Sequence, residues 1–315
     1  MDPQTQKLLT ESGGLFVSMP FYELAKAAGL AQSPSKEAMA RTLGTWLSGG
    51  DVKDAQGARI IPPRGIATVR RLSEHLAHLG VKLTFDCLPG STLLGLARSV
   101  HVSRFRRTPL RAMLFVDDDI LVEPEVIDAM LDAGGGGFVL LAYPQRGQAS
   151  DVALRTLDGR NPRYSPVTRT VDGRRLLAVA GGGLGCALLW RTGIEKMVAS
   201  YGAPFPEGFG FEDGDGTKHI SFFNAGPLVV DGRPQYMGED INFFELARAA
   251  GVPIECLADA FVDHAGWAID LGAAIDALNH DDTSKKPYTP PTVTKLAPGD
   301  PRIDKFHEGD DDGHA

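Results

Sequence analysis

Three aspartates in a row, Asp117, Asp118 and Asp119, end an unbroken apolar run at residues 112–116. Adjacent like charges repel, and a run this apolar reads as a strand buried on both faces. An acidic turn, or an aspartate capping the helix that opens near Pro124, is the plain explanation of such residues. The chemical explanation is a cation. In an extended segment residues i and i+2 project to the same side, so Asp117 and Asp119 can converge on one hard divalent ion. The chain carries a formal charge of −8, so a pyrophosphate held by it would need a cation at the site.

The elements around this segment alternate. Residues 15–19 read as a strand stopped by Pro20, and residues 66–79 carry apolar side chains at helical spacing before Gly80 ends them. A strand at 81–85, a helix at 91–102, the strand at 112–116, a helix from Pro124 to about 133 and a strand at 138–142 follow. Pro124 suits the first turn of its helix. This order predicts an α/β fold with a mostly parallel sheet, in which ligands bind beyond the carboxyl ends of the strands. Later segments at 176–180 and 186–190 are apolar, with a glycine run between them. Residues 194–201 and 241–250 read as helices and 252–257 as a strand, and 208–217 is a glycine- and acid-rich loop. Residues 32–57 read as an insertion with one short helix at 36–47. The polar, proline-rich stretch 280–315 reads as a tail over the surface or disordered, which leaves one large domain at 1–279.

Composition narrows the class. At 315 residues, 43% hydrophobic and 23% charged, the chain buries a full core. Its acidity argues against general affinity for nucleic acid or anionic membrane. Cys87, Cys186 and Cys256 are far apart, with no CxxC pair, and read as buried thiols in a reducing compartment. The polar N-terminus lacks the pattern of a signal peptide, and no apolar stretch reaches the roughly 20 residues of a bilayer span. A cytoplasmic protein with no membrane span is expected.

Several segments together resemble one family. FVDDDILVEPEVIDAML (115–131) is similar to the Asp-x-Asp segment of A-type (GT-A fold) glycosyltransferases, which places Mn²⁺ or Mg²⁺ under the donor's diphosphate. LFVSMPFY (15–22) resembles the family's first strand and its nucleotide-facing turn, which implies donor contacts at Pro20 and Tyr22. STLLGLARS (91–99) resembles the helix whose arginine lies near the nucleotide, here Ser91 and Arg98, with Ala97-Arg98-Ser99 where the family often has Ala-Arg-Asn. GGGLGCALL (181–189) resembles the glycine loop beside the donor sugar, through Gly182 and Gly183. Gly238-Glu239-Asp240 resembles the acidic x-Glu-Asp motif, and His264-Ala265-Gly266 the late metal-binding histidine. The matches run in order over residues 15–270. A Gln-x-x-Arg-Trp segment is missing, which sets the chain apart from the processive polysaccharide synthases.

The resemblance implies a Rossmann-like GT-A sheet and transfer of a sugar from a UDP- or GDP-sugar to a glycan, protein or small-molecule acceptor. Asp117, Asp119 and His264 would hold the metal, a carboxylate–imidazole set that suits Mn²⁺. Asp118 would lie beside the donor. Asp240 would take the acceptor's proton in an inverting displacement, and Glu239 would hold acceptor hydroxyls. Each has a plainer role: Asp240 as a helix N-cap, Glu239 at the helix's positive end, His264 as a satisfied buried histidine, Arg98 as a surface charge, the glycines as a tight turn. Two other functions compete. A nucleotidyltransferase shares a parallel sheet and paired aspartates but usually has a glycine-rich, basic loop where this chain has Pro20-Phe21-Tyr22. A non-catalytic carbohydrate-binding protein could keep the fold without turnover.

Overall fold

The apolar runs at 112–116, 138–141 and 186–190 have every residue buried, which requires cover on both faces. They lie inside an eight-stranded sheet. Its strands are β1 (Leu15–Phe21), β2 (Leu83–Pro89), β3 (Ala112–Val116), β4 (Phe138–Leu141), β5 (Val167–Val171), β6 (Arg174–Ala178), β7 (Cys186–Trp190) and β8 (Ile254–Leu257), in the spatial order β2-β1-β3-β7-β4-β8-β6-β5. The computed structural model describes residues 1–21, 36–53, 57, 59–60, 62–89, 93–144, 152–157, 167–201, 210–212, 216–230, 233–264, 267–269 and 293–295. Tyr22 and Ser91 lie outside the described residues, as do parts of 32–57 and 208–217 and most of the tail after 280.

Among the described residues seven helices cover the sheet: α1 (Pro3–Ser12), α2 (Lys36–Leu47), α3 (Arg64–His78), α4 (Leu94–Arg106), α5 (Pro124–Asp132), α6 (Arg191–Tyr201) and α7 (Glu239–Ala249). Alternation along each strand divides the core. Leu114 and Val116 of β3 join Val69, Leu72, Ile127 and Met130 on the face of α1, α2, α3 and α5. Met113 and Phe115 join Phe105, Ile194, Met197, Phe243 and Phe244 on the face of α4, α6 and α7. The result is one α/β domain: a large sheet between two helical layers.

The sheet is mixed, not mostly parallel as expected. Strands β2, β1 and β3 are parallel to one another, and β4 to β8. But β7 is antiparallel to both β3 and β4, and β6 to both β8 and β5. A parallel return needs a crossover of a dozen or more residues. Between β5 and β6 the chain has only Asp172–Gly173, both at positive φ, so that pair can only be an antiparallel hairpin. That Asp-Gly pair was the available sequence signal for β5, whose exposed residues show no apolar alternation.

Other boundaries shift for local reasons. β1 runs through Pro20 because β3 pairs only Phe16 to Ser18, so beyond Ser18 the strand has β2 as its one neighbour among the described residues. β2 starts later than expected and reaches Pro89. The loop at 208–217 contributes a strand, Gly210–Glu212, that pairs with Lys218–Ile220. The tail also contributes one, Val293–Lys295. It pairs with Trp267–Ile269, which pairs with Val262–His264, which pairs with Ile120–Leu121. Among the described residues no helix is long and apolar enough to cross a membrane.

The aspartate segment is clamped by the start of α3. The amide of Gly65 donates to the carbonyl of Asp118 (3.0 Å), and a side chain at position 65 would collide with the backbone of Asp117. Thr68 Oγ1 donates to Ile120 O (3.1 Å) and accepts from Val122 N (3.2 Å), all three groups buried. Thr68→Val keeps the shape and strands both partners, which should cost about 1–3 kcal/mol. Equilibrium denaturation should show that loss for Val and little of it for Thr68→Ser; equal loss in both would point to packing instead.

Candidate active site

β3 delivers the aspartates at its carboxyl end, and four other segments meet them there. The amide of Asp117 donates to Gly185 O in the glycine loop (2.8 Å), which fixes the turn as β3 ends. Antiparallel pairing sets His264 opposite Ile120, one residue beyond Asp119. The first turn of α7 carries Glu239 and Asp240, and α4 carries Arg98.

Arg98 organises the carboxylates. Its side chain is 1% exposed, so it is not the surface charge that the sequence allowed. Nη2 donates to both oxygens of Asp117 at 3.1 Å. Nη1 donates to Asp240 Oδ1 and lies 3.6 Å from Glu239 Oε1. Burial works against the guanidinium's charge, but Asp240, Asp117 and Glu239 outweigh it and raise its pKa. One positive charge therefore stands against three negative ones, and the cluster keeps an excess of negative charge.

Asp240 is not a helix cap. The N-cap of α7 is Gly238, and Asp240 lies in the first turn, its Oδ2 accepting from the amide of Leu184 (3.3 Å). Burial pushes its carboxyl up to about 6; Arg98 pulls it down, while Glu239 and Asp117 push it further up. A carboxyl near 6 that is still 24% exposed can reach a substrate and exchange a proton with it near neutral pH.

The three residues expected to share a metal are divided. Asp117 is turned to Arg98, while Asp119 Oδ2 lies 3.1 Å from His264 Nε2. Among the described residues no group of three or more His, Cys, Asp or Glu side chains is placed to hold a metal ion. The Asp119–His264 pair nevertheless has the chemistry of a donor set. His264 Nδ1 lies 2.6 Å from Pro144 O. A carbonyl can only accept, so Nδ1 carries a proton, while Nε2 faces a carboxylate. That contact takes either a second proton on the ring or a cation between the two groups, and a backbone carbonyl behind the ring is the usual support of a ligating histidine.

A cleft of about 320 Å³ opens beside Asp240, lined by Tyr143, residues 152–155, Gly182, Gly183 and residues 238–241. That volume is at the small end for a ligand site. Gly182 and Gly183 do line it, but their bareness serves internal packing: a side chain on Gly183 would collide with the Tyr143 hydroxyl, and one on Gly182 would press on the backbone of Ala153. Tyr143 was not legible as a site residue. Its hydroxyl accepts the amide of Gly185 (2.8 Å) and its ring meets His264 edge-on at 5.0 Å, so it joins the glycine loop to the histidine. Asp118 is buried and held through its carbonyl, and Pro20 is buried within β1.

No family model and no curated protein matches the chain. Among solved structures it is similar to A197 from STIV, at 11% identity and a TM-score of 0.39, over 82% of this chain and 91% of that one.

The raised pKa of Asp240 has a stability consequence. The folded state takes up this proton more readily than the unfolded chain, whose carboxyl titrates near 3.8. The resulting stabilisation is full below about 4 and is lost as pH rises through about 6. Asp240→Asn, which keeps the shape without the charge, should therefore be more stable than the parent at about pH 8 by roughly 1–2 kcal/mol, and nearly equal at about pH 4 and below. Thermal melts of both proteins across that range check the sign; a gap that does not vary with pH would show that the carboxyl is not strained by its surroundings.

Proposed function

We propose that this chain is a metal-dependent glycosyltransferase of the A-type fold, transferring a sugar from a nucleotide-sugar donor to an acceptor hydroxyl with inversion. The observation that carries the reading is the meeting, at the carboxyl end of β3, of the close Asp119–His264 pair with a raised carboxyl, Asp240, that opens onto a cleft. The ordered likeness of residues 15–270 to the family's motifs supports it.

Asp119 and His264 are the residues that would hold a divalent ion, with Asp117 drawn back onto Arg98. Such an ion, when bound, supplies a Lewis acid for the charge that develops on the donor's leaving diphosphate. The other work falls to side chains. Asp240 accepts the proton of the acceptor hydroxyl while that oxygen attacks the anomeric carbon. The bond from that carbon to the phosphate oxygen breaks, its electron pair leaves with the nucleoside diphosphate, and the sugar is carried by the acceptor. Glu239, also lining the cleft, would hold further acceptor hydroxyls, and Gly182, Gly183 and Tyr143 line the same cleft.

Donor hydrolysis tests this without knowledge of the acceptor, since water can replace the hydroxyl. Nucleotide sugars screened with Mn²⁺ should yield one or more that raise the melting temperature and are hydrolysed. Turnover should rise with pH through about 6, following Asp240. Asp240→Asn should lower it by about 10²-fold or more with donor affinity kept. Asp119→Ala and His264→Ala should weaken Mn²⁺ binding in calorimetry by about 10-fold or more. Metal affinity unchanged in both would remove Asp119 and His264 from the metal site, and turnover unchanged in Asp240→Asn would remove Asp240 as the base.

A further inference from the structure

We propose that Arg98 is a positioning residue that holds the aspartate segment and the proton-accepting carboxylate at a fixed separation, and that it does not contact the donor. Its kinetic consequence rests on the glycosyltransferase reading; its geometry does not. Asp117 ends a strand, Asp240 opens a helix, and Arg98 comes from the middle of a third element, so no backbone hydrogen bond between Asp117 and Asp240 sets their spacing. Two carboxylates brought together in a buried place repel, and a planar guanidinium is the side chain that can bridge them with separate nitrogens. Arg98 does this with Nη2 on Asp117 and Nη1 on Asp240.

Two details favour positioning over plain structural support. The buried Nε of Arg98 has no hydrogen-bond partner, so the head group is held by the carboxylates and not by its own helix or the sheet. And three carboxylates, delivered by the end of β3 and the start of α7, converge on this one cation, so it ties together two elements whose charges repel. A donor phosphate cannot reach a guanidinium that is 1% exposed and enclosed by three anions. Asp240 in turn faces Arg98, Glu239, Asp117, Tyr143 and the amide of Leu184, and Arg98 is the sole cation of that set.

The test uses two substitutions and two kinds of measurement. Arg98→Lys keeps one charge but cannot bridge two carboxylates; Arg98→Met keeps bulk without charge. In protein labelled with ¹³C at the aspartate carboxyls, the Asp240 signal, assigned by its loss in Asp240→Asn, should titrate near 6 in the parent. It should move up by about a unit or more in Arg98→Met and by less in Arg98→Lys. In donor hydrolysis Arg98→Lys should lower kcat by about 10- to 100-fold and leave donor KM within about threefold. An Asp240 titration unmoved in both variants overturns the proposal, and so does a raised donor KM with kcat kept, which is the mark of a nucleotide contact. If Arg98→Met does not fold, the Lys variant decides on the same titration. If the parent hydrolyses no nucleotide sugar, the glycosyltransferase reading fails while the titration still decides the role of Arg98.

Discussion

A single buried guanidinium governs the geometry of this site. Arg98 receives Asp117 from the end of β3 and Asp240 and Glu239 from the start of α7, and without it three carboxylates would face one another in a poorly solvated place. Ion pairs of this kind are seldom a net source of stability, because removing the partners from water offsets most of the attraction. Their value lies in specificity of arrangement. In this protein the arrangement leaves Asp240 raised yet open to a cleft, and leaves Asp119 unshared with Arg98 and close to His264.

The rest of the fold serves that arrangement through backbone contacts. Gly65 and Thr68 of α3 hold the carbonyls of the aspartate segment, Gly185 receives the amide of Asp117, and Tyr143 receives the amide of Gly185. These partners come from one helical layer, from the glycine loop that leads into β7 and from the segment that follows β4. The mixed sheet is therefore part of the site: β7 enters antiparallel directly from the glycine loop, and that entry is what brings residues 182–185 against the end of β3. The small sheet of 120–121, 262–264, 267–269 and 293–295 does the same for His264, joining a strand of the tail to the residue after Asp119.

Legibility followed the range of the interaction. Helices at 36–47 and 124–132 and strands at 112–116, 138–141 and 186–190 were plain in the sequence, because apolar periodicity and a proline at a helix start act over a few residues. The exposed strand β5 was missed because its only signal was the Asp-Gly turn that follows it. Asp240 shows the same limit at a helix end: the sequence allowed a cap, but the backbone starts α7 earlier, at Glu239 with Gly238 as its N-cap, and moves the carboxylate into the first turn.

Local pattern and burial were enough to establish that an acidic triplet ends a buried strand, that two more carboxylates open a late helix, and that a histidine ends a later strand. They were enough for an α/β order as well. Which of those groups meet was a matter for the folded chain. Pairing Asp119 with His264 takes antiparallel strands drawn from residues 120–121 and 262–264, and pairing Asp117 with Asp240 takes an arginine from a third element. Such meetings depend on strand direction and register, where a shift of one residue turns a side chain to the other face. No spacing along the chain records that choice, because it is made by the packing of segments more than a hundred residues apart.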